Sequence, residues 1–177
     1  GIRNACRTTI APTGSTSIIA GCSSGIEPLY ALALRRNQAG MEMYEFSGVF
    51  EEWLERYPDS KSEIKEYVKT HGSLFGCTLL GQEFTLFRTA NEIPWESHLK
   101  HQAVWQKYID NSISKTVNMP NEATIDDVKN VYKTAWKSGC KGVTIYRDGC
   151  RADQVLTVVK DKVAPPVEAR PVSRDRA

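Results

Sequence analysis

Long apolar runs are missing from this chain. None approaches the roughly 18 to 20 residues needed to cross a bilayer, and the start carries no charged region followed by an apolar core. The expectation is a soluble, cytoplasmic protein with no membrane partner. A charge of one sign is missing too: the net charge is +2 and basic residues alternate with acidic ones, so nothing favours a nucleic-acid partner. Paired cysteines are absent. Cys6, Cys22, Cys77, Cys140 and Cys150 form no C-x-x-C and have no histidine at zinc spacing, so they read as reduced thiols and no metal site is expected. The nucleotide-triphosphate loop G-x-x-x-x-G-K-[ST] does not occur, because Gly14 is followed by no Gly-Lys pair and Gly21 leads to Cys22. That disfavours an ATPase. A kinase-like phosphotransferase would also need a metal-binding carboxylate pair, which is lacking.

What is present is ordinary globular material: 177 residues, 41% hydrophobic and 25% charged, enough for one sizeable core. The first residue is Gly1 rather than Met, and the chain enters almost at once a buried-looking strand at 8–11. The expectation is a piece of a larger protein, either an excised segment or the distal product of a split gene.

The stretch TTIAPTGSTSIIAGCSSGIEP at 8–28 organises the rest. Its β-favouring run must end at Pro12, which cannot donate to a central ladder. Thr13, Gly14, Ser15, Thr16 and Ser17 then bring four hydroxyls and several unpaired amides to a turn. Ser15 or Thr13 can cap a short helix through Ile18, Ile19 and Ala20, with Gly21 placed to stop it. A strand leading into a helix N-terminus gathers free N–H groups and the positive end of the helix dipole, a setting that suits a phosphate. An ordinary turn or cap is the competing reading of the same residues.

Further along, 29–34 reads as a buried strand or short helix and 41–46 as a strand. Ser47 reads as a cap for a helix burying Val49, Phe50, Trp53 and Leu54, which Pro58 ends. Ser60 with Glu63 reads as a capping box for a helix carrying Ile64, Tyr67 and Val68, which Gly72 ends, with His71 in a capping or solvated role. Residues 73–87 read as a connecting loop with room for a short strand. Pro94 opens a helix holding Leu99, Ala103, Trp105, Tyr108 and Ile109. Its His98 and His101, at i and i+3, invite a metal reading, but no third ligand is in view and a helix with one polar face is favoured. Residues 112–118 read as a strand ending at Pro120. Thr124 with Asp127 caps a helix with Val128, Val131, Tyr132 and Ala135 on one face, stopped by Gly139, and 142–146 reads as a strand. Strand, helix and strand in that order imply a parallel unit. Residues 160–177, rich in Pro, Arg and Ala, read as a disordered tail or linker.

Arg3-Asn4-Ala5 followed by the 8–28 stretch resembles the substrate-phosphate segment of ribonucleotide reductase catalytic subunits, in the form typical of the adenosylcobalamin-dependent class II enzymes. The likeness continues in TANEI at 89–93, His98 with Gln102, DNSISKTVNMP at 110–120 and GCKGVTIYRDG at 139–149. What it implies is an α/β fold, the last strands and helices of the family's ten-stranded α/β barrel, occupying 1–159. The function implied is that of the carboxyl-terminal part of a vitamin-B12-dependent ribonucleoside-diphosphate reductase, an enzyme of deoxyribonucleotide synthesis. By matching motif positions, Thr13, Gly14, Ser15, Thr16 and Ser17 would hold the substrate's diphosphate. Asn4 and Glu27, polar side chains beside the strand, are weaker site candidates that either brace the loop by hydrogen bonding or touch the ligand.

The family's reaction removes the ribose 2′-hydroxyl by radical chemistry begun at a cysteine thiyl. A carboxylate and an asparagine assist, and a cysteine pair supplies electrons. No N-x-C-x-E arrangement occurs here, so no catalytic residue is expected in this chain and it should be inactive alone. Its partners would be the ribonucleotide, the upstream part of the reductase and a thiol reductant such as thioredoxin. Adenosylcobalamin would be contacted mostly outside this segment. Ile145 and Tyr146 stand where radical-relay relatives place adjacent tyrosines, and a single tyrosine agrees with a radical generated locally by a cofactor. Cys6 and Cys22 flank the turn, and buried structural thiols are preferred there over a redox pair. Lys115 could face a barrel mouth and favour phosphate, but a solvated lysine at a strand end is preferred. The alternative to a reductase segment is a non-catalytic nucleotide-phosphate-binding remnant that only associates with a partner chain.

Overall fold

The computed structural model describes residues 1–38 and 41–150. The expected tail at 160–177, and the end of the expected barrel segment at 151–159, lie outside the described residues.

The parallel unit expected near the end of the chain is present. Strand β3 (Thr116–Met119) passes through helix α5 (Ile125–Lys137) to strand β4 (Thr144–Arg147), and the two strands pair in parallel with Val117 opposite Ile145. Helix α5 starts where Thr124 and Asp127 form a reciprocal capping box, and Gly139 takes a left-handed φ of 76° just past its end. Val131 and Ala135 on its inner face meet Val117 and Met119 of β3, and Leu99 of helix α4 (Trp95–Gln106) completes this core.

The second core lies between residues 29 and 87. Strands β1 (Ala33–Gln38) and β2 (Met41–Phe46) form an antiparallel pair with Ala33 opposite Phe46. Phe50, Trp53 and Leu54 of helix α2 (Gly48–Leu54) pack with Ile64 and Val68 of helix α3 (Lys61–His71). Residues 73–81 form the expected connecting loop, and 82–87 close it in a 3₁₀ helix, Gln82–Phe87, with no strand.

Several local expectations are not met. Residues 8–11 make a single parallel bridge, Ile10 to Ile113, and not a buried strand: Thr8, Thr9 and Ala11 are exposed. Residues 29–32 are neither strand nor helix, and β1 begins only at Ala33. The hydroxyls of Ser47 and Ser60 cap nothing, although both residues stand at helix starts. Val49 is exposed while its helix buries Phe50 and Trp53. Of the barrel only the last strands and helices are expected in this chain, and the described residues form two separate two-stranded sheets, one antiparallel and one parallel.

The two cores are joined near the middle of the chain. The Ala90 N–H donates to the Leu29 carbonyl at 2.8 Å, and Thr89 and Glu92 cap the short 3₁₀ turn Ala90–Glu92 reciprocally. This joint delivers helix α4 to the sheet.

Candidate functional site

Helix α1 (Gly14–Ala20) opens at Thr13, whose φ of 51° and ψ of 28° put a non-glycine residue in the left-handed region. Such a backbone costs on the order of 1 kcal/mol or more and persists only when neighbours hold it. Thr13 does not cap its helix. Its Oγ1 instead accepts from the Gly25 N–H at 3.0 Å, tying the turn to the loop beyond the helix. The first backbone bond of the helix runs from the Ser17 N–H to the Thr13 carbonyl at 2.8 Å, so the amides of Gly14, Ser15 and Thr16 precede the intrahelical ladder. Thr13, Gly14, Ser15 and Thr16 are exposed, whereas Ser17 is buried and its hydroxyl donates to the Gly14 carbonyl at 2.7 Å. Gly21, left-handed, ends the helix as its position implied.

Behind this turn lies a buried polar cluster that sequence reasoning missed. The Lys115 side chain is 1% exposed and its ammonium spends all three protons. It donates to Glu27 Oε2 at 2.6 Å, to His98 Nδ1 at 2.8 Å and to the Thr116 carbonyl. Lys115 is therefore neither a solvated lysine nor a group free to meet phosphate. Glu27 Oε1 accepts from the Thr116 N–H, so one carboxylate straps the 25–28 loop to the start of β3. His98 Nε2 lies 3.0 Å from the Ala90 carbonyl. A carbonyl can only accept, so Nε2 carries the proton and Nδ1 receives one from Lys115. Burial, then the Lys115 charge, pushes the His98 pKa below its ordinary value, and burial likewise lowers that of Lys115 against the opposing pull of Glu27. The ring is neutral and the ammonium stays paired.

These groups floor a cavity of about 520 Å³ between the 23–28 loop and α4, rimmed by Ile93, His101 and Trp105. His98 and His101 share that cavity but not a role, one buried and one exposed. Among the described residues no group of three metal-ligating side chains converges, and no helix is long and apolar enough to cross a membrane. Helix α4 keeps only part of its expected face: Leu99 is buried, but His98, Gln102 and Gln106 point inward with it while Trp105 and Tyr108 are exposed. Gln102 Nε2 donates to the Gly142 carbonyl at 2.6 Å, and Gln106 Oε1 accepts from the Lys141 N–H at 3.2 Å. The signal that could have revealed this was the spacing of His98, Gln102 and Gln106 at i, i+4 and i+8.

Asp110 joins the segment leading to the turn with that leading to β3. Its Oδ2 accepts from the N–H groups of Arg7 and Thr8 at 2.9 and 3.2 Å, which hold its carboxyl below the usual carboxylate range. Asn4 is exposed and lines a different cavity with Arg3, Arg7 and Asp110. Cys6 and Cys22 are exposed, not the buried thiols expected, and all five cysteines are free. The motifs separated in sequence at 8–28, 89–93, 98–102, 110–120 and 139–149 are thus joined by hydrogen bonds around one site.

Comparison with known proteins is consistent with this convergence. A family model described as the ribonucleotide reductase barrel domain matches residues 1–146. The vitamin B12-dependent ribonucleoside-diphosphate reductase of Thermoplasma acidophilum is 40% identical over 168 residues, 94% of this chain and 22% of that protein. The enzyme of the same name from Mycobacterium tuberculosis strain H37Rv is 39% identical over 161 residues, 90% of this chain and 23% of that protein. Among solved structures, the class Id ribonucleotide reductase alpha subunit of Actinobacillus ureae superposes with a TM-score of 0.64 at 25% identity, covering 78% of this chain and 25% of that one. The chain spans about a fifth to a quarter of the length of these relatives.

Proposed function

The chain belongs to the ribonucleotide reductase barrel-domain family, and from that membership we propose that it is the carboxyl-terminal part of an adenosylcobalamin-dependent ribonucleoside-diphosphate reductase, holding the substrate's diphosphate. The observation that carries the reading is the exposed left-handed turn at Thr13, with three helix-start amides outside the ladder. The amides of Gly14, Ser15 and Thr16 and the hydroxyls of Thr13, Ser15 and Thr16 donate to the phosphate oxygens, helped by the helix dipole. Ser17, turned inward, braces Gly14. Glu27 supports the loop behind, and Asn4 supports the segment leading in.

In this proposal the chain binds and orients, and the upstream part of the reductase supplies the thiyl cysteine, its assisting groups and the reducible pair. A thiol reductant such as thioredoxin restores that pair. Adenosylcobalamin, held elsewhere in that enzyme, would supply radical chemistry. The described residues do not themselves fit that cofactor: the 520 Å³ cavity is of small-molecule size, and both ring nitrogens of His98 are committed. Its contacts belong to the rest of the enzyme, and a cytoplasmic location follows from the same reading.

The test is reconstitution. Co-expression with an upstream segment bearing the thiyl cysteine restores cobalamin-dependent deoxynucleotide formation, while the chain alone forms none. In that enzyme, S15A/T16A weakens nucleotide binding by a few kcal/mol at most, at roughly 1.5 to 3 kcal/mol per charge-assisted hydrogen bond. Unchanged affinity rejects the phosphate turn. A stable complex without turnover marks the chain instead as a non-catalytic phosphate-binding module.

A further inference from the structure

We propose that Lys115 and Glu27 form a positioning device that holds the turn at Thr13 in its binding shape from the far side of the loop. The inference rests on the phosphate reading of that turn and adds residues that do not touch the ligand.

The Thr13 turn is held in a left-handed backbone by one side-chain bond to its neighbours, from the Gly25 N–H to Thr13 Oγ1 at 3.0 Å. Gly25 is itself constrained: its φ is +54°, and a Cβ there would lie 3.2 Å from the Ala11 carbonyl. Two residues on, Glu27 spends both carboxylate oxygens where β3 begins, one on the Lys115 ammonium just before the strand and one on the Thr116 N–H. Lys115 is fixed in turn by His98, which α4 holds on the Ala90 carbonyl. The 25–27 segment is therefore a short clip between strand β3 and the turn. If Glu27 lets go, Gly25 is no longer pinned, and the donor that keeps Thr13 left-handed moves with it.

A merely structural ion pair would have a different signature. Withdrawing it would lower stability, with nucleotide affinity intact once the protein is folded. A positioning pair affects ligands that carry phosphate and spares those that lack it.

The experiment uses the reconstituted full-length reductase and calorimetric titration with a ribonucleoside diphosphate and with the matching nucleoside. K115M is expected to raise the dissociation constant for the diphosphate about tenfold, the scale of one hydrogen bond, and to leave that for the nucleoside unchanged. K115M/E27Q removes both charges and guards against misfolding through a lone, half-buried carboxylate; the same selective loss is expected. E27D, which keeps the charge but shortens the reach, is expected to give an intermediate loss. Equal weakening of both ligands, or wild-type diphosphate affinity in folded K115M/E27Q and E27D while S15A/T16A still weakens it, overturns the positioning role and leaves the phosphate turn standing. Wild-type affinity in S15A/T16A overturns the phosphate turn itself, and this inference with it.

Discussion

His98 Nδ1 faces the Lys115 ammonium at 2.8 Å, so a proton on that nitrogen would bring two cations together in a buried site. The folded protein therefore holds the ring neutral, with its pKa below the ordinary 6.5, first because of burial and then because of Lys115. In the unfolded chain the same ring binds a proton readily. The sign follows: above pH 6.5 neither state is protonated and nothing is lost, whereas as pH falls below 6.5 only the unfolded state gains a proton and stability declines. The melting temperature should drop between pH 7.5 and about 5.5. His98→Gln should flatten that part of the profile, and a wild-type profile already flat there would refute the assignment. Lys115 acts in the same direction at the alkaline end, since its lowered pKa makes the folded state the poorer proton binder.

At the scale of elements, α5 shows local chemistry sufficient by itself. The Thr124 Oγ1 accepts from the Asp127 N–H at 3.2 Å, and the Asp127 carboxylate accepts from the Thr124 N–H at 2.8 Å. Thr124→Ala should cost about 1 kcal/mol, within a range of roughly 0.5 to 2, read from urea unfolding. A change under about 0.2 kcal/mol would mean the box contributes nothing. Leu99, fully buried between α4 and β3, should cost roughly 2 to 5 kcal/mol as Leu99→Ala, by lost burial plus the cavity left behind. Legibility differs between these helices. In α5 cap and stripe agree, and both were visible. In α4 three of the four buried side chains are polar, because a histidine and two glutamines tie three backbone segments together, and Leu99 alone of the four follows the apolar-face rule. At Ser47 and Ser60 the residue type was right for a cap, but the hydroxyl bond did not form.

For the whole molecule, the exposed apolar side chains are informative. Ile18 and Ile19 on α1, Tyr108 after α4, and Ile125 and Trp136 on α5 are all more than two-thirds exposed, the last at 79%. With the chain spanning about a fifth of its B12-dependent relatives, the proposed reductase reading covers these faces with the remainder of the enzyme. The chain expressed alone should then bind the dye anilinonaphthalene sulfonate several-fold more strongly than its complex with the upstream segment. Equal fluorescence would count against that arrangement.

Sequence by itself determined the elements whose signals are local: the glycine-stopped helix after Thr13, the capped α5, the parallel strands on either side of it, and the motif string that carries the family likeness. Backbone preference, capping and stripe periodicity act over a few residues and can be read from a few residues. Tertiary structure alone decided that Lys115 is buried, that Glu27 joins it across 88 positions, and that His98 accepts where it was expected to stand on a polar surface. A buried charge is tolerable only when its partners surround it, and those partners come from a loop, a helix and a strand that meet only once the chain has folded.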